Sequence, residues 1–139
     1  MNQNYLVKIN TLMHSFLSYL TESKVTGTYS DNHASYDVGK IVDLVKQHRI
    51  PVKEKKISSL LKKNHEVDTK EGNLGKLLER PNKRFLKRVK KANTRYPILL
   101  STSGWIIDGT HRLAKLYMAD KTHIKTQVVP NKLLKLAKK

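Results

Sequence analysis

Cysteine is absent from the 139 residues, which excludes disulfide bonds, thiolate catalysis and cysteine-ligated zinc. Aromatic residues make up only 6% of the chain, so surfaces for stacking nucleic-acid bases are scarce. No stretch approaches the roughly 20 apolar residues that span a bilayer. The first residues also lack the basic segment, apolar block and cleavage site of an export signal. We therefore expect a cytoplasmic protein that does not enter a membrane.

Acidic residues are also few, with 11 Asp and Glu against 28 Lys and Arg, for a net charge of +17. Residues 50–139 carry 23 of the basic residues and only 7 of the acidic ones, so nearly the whole excess lies there. Such a field attracts polyanions and predicts salt-dependent binding to DNA or RNA. A lysine-rich surface that serves only solubility explains the same numbers.

The densest basic block lies at residues 80–91, where the pattern predicts a helix. Phe85, Leu86 and Val89 would face the core because they recur on one side of that helix. The cations would then cover its outer surface. The predicted nucleic-acid contacts are Lys83, Arg84, Lys87, Arg88, Lys90 and Lys91.

The length suits one domain with a modest core. Apolar residues spaced three and four apart over residues 6–20 predict an amphipathic N-terminal helix. This helix packs on the core or forms a homodimer, or else it binds a membrane surface or a partner groove. Residues 26–35 are rich in turn-forming residues and predict a loop. We therefore divide the chain into an N-terminal helix and loop at 1–30 and a domain at 31–139.

The most informative segment begins with two apolar runs, residues 96–100 and 105–107, separated by a Ser-Thr-Ser-Gly turn. Asp108-Gly109-Thr110-His111-Arg112 follows them. This order predicts strand, hairpin turn, strand, glycine turn and helix. A helix that begins after a glycine turn presents free N–H groups at the positive end of its dipole, where anions bind. The predicted phosphate-binding residues are Gly109, Thr110, His111, Arg112 and Lys115.

Three side chains of this segment are the predicted catalytic residues. The Arg112 guanidinium is suited to bind two phosphate oxygens. Asp108, at a strand end, is placed to bind Mg²⁺ or to handle a proton. His111 acts either as a neutral hydrogen-bond donor or as an imidazolium, or it only packs against Trp105. Lys115 adds a third cation to the phosphate site or is merely a surface charge.

The run from Tyr96 to Lys115 resembles the core signature of the ParB/sulfiredoxin superfamily, in which an Asp-Gly-x-His-Arg box follows a β-hairpin. Tyr36-Asp37-Val38 and Ile50-Pro51-Val52 extend the likeness over roughly residues 36–129, most specifically at 96–117. The chain is most similar to small stand-alone ParB-like proteins of bacteria and phages, including ParB N-terminal-like nuclease domains. The resemblance implies an α/β (α+β) fold, with a mixed sheet, flanking helices and the added N-terminal helix.

The resemblance also implies a function. Superfamily members bind nucleoside triphosphates through this box, several transfer or hydrolyse phosphoryl groups, and some are described as nucleases. Residues 109–112 match the phosphate-binding turn, and Asp108 matches the acidic residue before it. The lack of cysteine excludes the sulfinic-acid reduction of sulfiredoxins. Because only 25 residues follow Ala114 here, we do not expect the centromere-style site recognition that partition proteins perform with a downstream helix-turn-helix domain.

Two function classes remain open. The first is an enzyme that transfers or hydrolyses a phosphoryl group of ATP or CTP, with Mg²⁺ near Asp108. The second is a nucleic-acid-binding protein or nuclease, in which the same turn holds a backbone phosphate. Nucleotide-dependent action on DNA combines both, in the host cytoplasm if the chain is phage-encoded.

The middle of the chain carries further expectations. Asp37 is a predicted N-cap of a helix ending near His48. Residues 53–61 suggest a strand and a turn, and residues 65–75 a loop. The loop contains an acidic cluster that either supplies a metal ligand or general base beside Asp108 or only balances nearby lysines. The acidic cluster consists of Glu66, Asp68 and Glu71. In an enzyme, the carboxylate that activates the acceptor would be one of Asp37, Glu66, Asp68 or Glu79.

Overall fold

The computed structural model describes residues 25–139, which form six helices and eight strands in a mixed α+β fold, as expected from the sequence. The predicted N-terminal helix lies outside the described residues. None of the helices within 25–139 has the length and apolar character to cross a bilayer. The elements in chain order are β1 (Thr28–Ser30), β2 (Ser35–Asp37), α1 (Val38–Gln47), β3 (Lys53–Lys56), α2 (Ile57–Asn64), β4 (Asp68–Thr69), β5 (Gly72–Asn73), α3 (Leu74–Glu79), α4 (Lys83–Lys91), β6 (Ile98–Leu100), β7 (Ile106–Asp108), α5 (Thr110–Met118), β8 (His123–Val128) and α6 (Asn131–Leu136).

A four-stranded mixed sheet forms the centre, with strand order β3-β8-β6-β7. The two outer pairs are antiparallel, and the central pair of β6 and β8 is parallel, with Ile98 opposite Thr126. Every residue of β6 is buried. A strand buried on both faces carries a continuous apolar run, which explains the Ile-Leu-Leu sequence of β6.

The two faces of this sheet carry separate cores. Successive strand residues point to opposite sides, so Leu99 and Ile107 pack with α1 and α6, whereas Ile98 and Ile106 pack with α2 and α5. A third cluster joins α3 and α4 to α5, where Phe85 packs near Ala114. Helices therefore cover the sheet on both faces, and α4 lies outside α5.

Helix starts differ in a way that bears on function. Asp37, Asn73 and Asn82 cap α1, α3 and α4 with side-chain oxygens that accept from backbone N–H groups. The predicted cap at Asp37 is thereby confirmed. In contrast, α5 begins after Gly109, which adopts φ +108° and supplies no capping side chain.

Three sequence-based expectations were wrong in detail. The predicted loop at 26–35 contains β1 and the turn that Asp31 closes, and its last residue begins β2. The strand predicted within 53–61 ends at residue 56, and helix α2 replaces the predicted turn. The predicted loop at 65–75 contains the β4–β5 hairpin and the start of α3. Strands of two or three residues are too short to show a readable alternation.

The turn at Gly109 generates a stability prediction. A Cβ on Gly109 would lie 2.5 Å from Ile98 Cγ2, and the left-handed backbone disfavours any side chain. Gly109→Ala should therefore lower the free energy of unfolding by about 2–4 kcal/mol, because backbone strain and overpacking add. Urea denaturation measures this loss.

Gly104→Ala is the matched control. Gly104 also has a positive φ, of +89°, but nothing lies within 4 Å of an added Cβ. It should therefore cost only the backbone strain, about 1 kcal/mol. Equal losses of stability for the two variants would show that the contact with Ile98 is unimportant.

Candidate functional site

A cleft of about 580 Å³ opens beside β7 and the start of α5. Its floor is formed by residues 105–111, and its walls by residues 25–32 of the first hairpin and residues 67–70 around β4. Arg88 of α4 also lines the cleft. The volume falls within the range of about 300–1,000 Å³ that is typical of small-ligand sites.

The positive end of α5 opens into this cleft. Gly109, Thr110 and His111 line it, and the first helical hydrogen bond of α5 runs from Leu113 N to Gly109 O at 3.0 Å. The preceding N–H groups of the first turn therefore have no partner within the helix. Gly109, the N-cap residue, has no side chain to cap them. The predicted anion-binding turn thus faces a cavity large enough for a ligand.

The Arg112 side chain does not line the cleft, unlike residues 108–111 before it. One terminal nitrogen donates to Pro97 O at 2.8 Å and the other to Asp108 Oδ2 at 3.0 Å. For Arg112 and His111 to bind one anion together, as predicted, the ion pair between Arg112 and Asp108 would have to open. In the observed arrangement Arg112 secures α5 to the strands before it.

Lys115 is also committed elsewhere. Its ammonium donates to the carbonyls of Lys90 and Ala92, at 2.8 and 2.9 Å, and so caps the C-terminal end of α4. Cations at this end of a helix also interact favourably with the helix dipole. As placed, Lys115 stabilises the packing of α4 on α5 and does not line the cleft.

Other cationic side chains line the cleft instead. Lys70 comes from the turn between β4 and β5, and Arg88 from α4. Arg88 was predicted only as part of the outer basic surface, and Lys70 was not singled out. Nothing in the local sequence around Lys70 indicates that it lines the cleft, because its place depends on how the short β4–β5 hairpin packs.

One acidic residue of the predicted loop is buried against His111. The Glu71 side chain is only 2% exposed, and Oε1 lies 2.8 Å from His111 Nε2 and 3.3 Å from an Arg88 terminal nitrogen. Burial alone raises the pKa of Glu71, but the hydrogen bonds and charges of His111 and Arg88 outweigh it and hold the pKa below its usual value. Glu71 thus pairs with His111 and Arg88 and does not join Asp108.

The rest of the acidic cluster is dispersed. Glu66 is 86% exposed and lies 3.6 Å from His65, whereas Asp68 lines the cleft wall. Within residues 25–139, no three His, Asp or Glu side chains converge as a metal site would require. Asp108 lines the cleft with one carboxylate oxygen on Arg112. A single carboxylate suits Mg²⁺ that arrives on phosphate oxygens, because Mg²⁺ commonly takes one or two carboxylates together with substrate phosphates.

Trp105 lies at the other end of the cleft floor and is 40% exposed. Asn64, which is fully buried, donates to Gly104 O and accepts from Ile106 N, so it clamps the backbone on both sides of Trp105. The Lys63 ammonium lies 4.6 Å from the centre of the indole ring. A cation at this distance is attracted to the ring face. Sequence reasoning missed Asn64, which is the last residue of α2 and carries no motif.

The predicted basic surface of α4 is present. Phe85 and Val89 are buried and Leu86 is partly buried, as expected for the inner face. All six predicted cations are exposed at residue level, and Arg88 joins this surface to the cleft. These cations are Lys83, Arg84, Lys87, Arg88, Lys90 and Lys91.

The Glu71 pairing predicts a pH-dependent stability. A carboxyl group whose pKa is lower in the folded state contributes stability above its unfolded pKa, ordinarily 4.5, and loses it as the pH falls through the folded pKa. Below about pH 4.5 the melting temperature of the wild type should therefore fall more steeply than that of Glu71→Gln.

Melting curves from pH 3 to 7 measure this difference. Glu66→Gln removes the same charge from an exposed side chain five residues away and serves as the control. Parallel pH profiles for wild type and Glu71→Gln would contradict the assigned pairing.

Comparison with protein-family models, curated proteins and solved structures finds no match for this chain.

Proposed function

We propose that the cleft binds a nucleoside triphosphate and that the protein transfers or hydrolyses its terminal phosphoryl group. One observation carries this proposal: a single cleft joins an uncapped helix N-terminus to an exposed tryptophan. An anion site and an aromatic ring within one cavity match the two chemical ends of a nucleotide. The resemblance of residues 96–117 to the ParB/sulfiredoxin box supports the same substrate class.

The phosphate end of the proposed site is the start of α5. Backbone N–H groups and the helix dipole there favour negative charge. Lys70 and Arg88 line the same cleft and would neutralise the remaining phosphate oxygens. Mg²⁺ carried by the triphosphate would take Asp108 as its protein ligand.

The base end of the proposed site is Trp105. Four residue steps along the extended strand separate Trp105 from Gly109, which places them about 14 Å apart. A base stacked on an aromatic ring contributes roughly 1–3 kcal/mol and needs no specific base edge. ATP and CTP would therefore both be accommodated, and selection between them would depend on polar groups of the cleft wall.

A second candidate function is the binding or cleavage of a nucleic-acid strand. The observation in its favour is Arg88, which belongs both to the basic surface of α4 and to the cleft. A strand held along α4 by its phosphates would reach the same anion site at the start of α5. Net charge and its distribution favour such a polyanionic partner.

Trp105 is the only tryptophan, so its fluorescence reports directly on the proposed base end. ATP or CTP with Mg²⁺ should quench this fluorescence and stabilise the protein, by about 2.7 kcal/mol at 100 times the dissociation constant. Tripolyphosphate should stabilise the protein with little quenching, because it lacks a base.

Lys70→Gln should weaken nucleotide binding about tenfold.

Lys121→Gln, which removes an exposed charge outside the cleft, is the control for Lys70→Gln. The proposal fails if no nucleotide and no polyphosphate changes either the fluorescence or the melting temperature.

The second candidate is tested by the salt dependence of nucleic-acid binding. Replacing Lys83, Lys87 and Lys90 by Gln should make the slope of log K against log salt shallower, by about 0.9 for each duplex DNA phosphate that the variant no longer neutralises. The control replaces Lys121, Lys132 and Lys135, which are also exposed, and changes the net charge equally. An equal decrease in slope for both variants would point to net charge and would rule out α4 as the binding surface.

A further inference from the structure

Glu71 is buried at the junction of three elements. Its N–H donates to Thr69 Oγ1 at 3.1 Å, and its carbonyl accepts from Asn82 Nδ2 at 3.1 Å. Asn82 in turn caps α4 through Phe85 N. The turn between β4 and β5 is thus tied to the first residues of α4. This anchoring holds the carboxylate in place and leaves it little freedom to swing towards solvent.

The buried carboxylate holds one particular atom of His111. Its Oε1 lies 2.8 Å from Nε2, and the Phe85 ring packs against the imidazole with 5.5 Å between ring centres. Because Nε2 is occupied by the Glu71 carboxylate, Nδ1 is the ring nitrogen left to meet a ligand in the cleft that His111 lines.

A purely structural ion pair explains this arrangement less well. Glutamate is almost never buried unless it is paired, and here the Glu71 side chain is 2% exposed with Oε1 on His111 Nε2. His111 in turn lines the cleft beside the start of α5. A buried carboxylate at one ring nitrogen fixes the orientation and the tautomer of a histidine whose other nitrogen serves a reaction.

The geometry points to His111 as the general base that activates water in the cleft and to Glu71 as the residue that positions it. This inference rests on the proposed nucleotide site. With water as the nucleophile, the reaction is hydrolysis of the terminal phosphate. His111 is the catalytic residue in this scheme, and Glu71 is a positioning residue.

In the hydrolytic step, a water oxygen attacks the terminal phosphorus, and a new P–O bond forms while the bond to the bridging oxygen breaks. The electron pair of that bond leaves with the nucleoside diphosphate. The proton of the water moves to Nδ1 of His111, and the imidazolium so formed is stabilised by the Glu71 carboxylate. The products are the nucleoside diphosphate and inorganic phosphate.

Several charged groups share the site with His111. Arg88 and His111 meet at the same Glu71 carboxylate oxygen, and the remaining charged groups line the shared cleft. These are Lys70 and Asp68 from the β4 wall, Asp31 from the first hairpin and Asp108 before α5.

The test combines binding, turnover and a direct view of the ring, using the full chain with ATP and CTP. Binding is followed by Trp105 fluorescence and turnover by phosphate release. His111→Gln should keep nucleotide affinity within about threefold of the wild type but lower the rate of phosphate release by roughly 10²-fold or more. His65→Gln, an exposed histidine outside the cleft, should leave both unchanged.

Glu71→Gln should lower the rate about 10- to 100-fold and displace its pH profile. Glu71→Asp, which keeps the charge but shortens the reach, should restore part of the rate and provides a second variant if Glu71→Gln does not fold. Nitrogen NMR of the wild type, assigned with His111→Gln, should show the neutral His111 ring protonated at Nε2.

The outcomes separate the two proposals. Nucleotide binding without phosphate release, or with release that survives His111→Gln, overturns the general base and leaves the nucleotide site standing. A neutral ring protonated at Nδ1 also overturns it, because Nδ1 could not then accept the proton of the water. No nucleotide binding at all overturns the proposed function, and the general base with it.

Discussion

The close approach of Gly109 to Ile98 is the constraint on which the rest of the site depends. The chain leaves β7 and enters α5 with its backbone pressed against β6, where no side chain fits. This contact sets where α5 begins and therefore where its dipole points. It also leaves the helix without a capping side chain, so the first N–H groups open into the cleft. The packing requirement and the proposed anion site therefore both depend on Gly109.

The protein has few acidic residues, and several of them have structural roles. Asp37 caps α1, Asp31 closes the first hairpin, and Asp108 binds the Arg112 side chain between β7 and α5. Glu71 joins the β4–β5 hairpin to α4 and α5 through Arg88 and His111. Since carboxylates are scarce in residues 50–139, a buried one stands out against a background of exposed lysine.

Local patterns predicted much of the fold. The apolar runs, the turn before Trp105 and the glycine at 109 identified the β6–β7–α5 unit, and the spacing of Phe85 and Val89 identified the buried face of α4. These predictions depend on neighbours within a few residues. The short strands at β1, β4 and β5 escaped detection because their pairing partners, and not their own composition, define them.

In the candidate site, too, some features follow from local sequence and others only from tertiary packing. Residue type and local spacing were enough to predict the glycine turn that opens α5, the absence of thiol chemistry and the basic character of α4. Tertiary packing was needed to establish that Arg112 and Lys115 bind protein groups, that Lys70, Arg88 and Trp105 share the cleft, and that Glu71 meets His111. Those contacts join residues distant in the chain, and a side chain with several possible partners is committed only when packing brings one of them within reach.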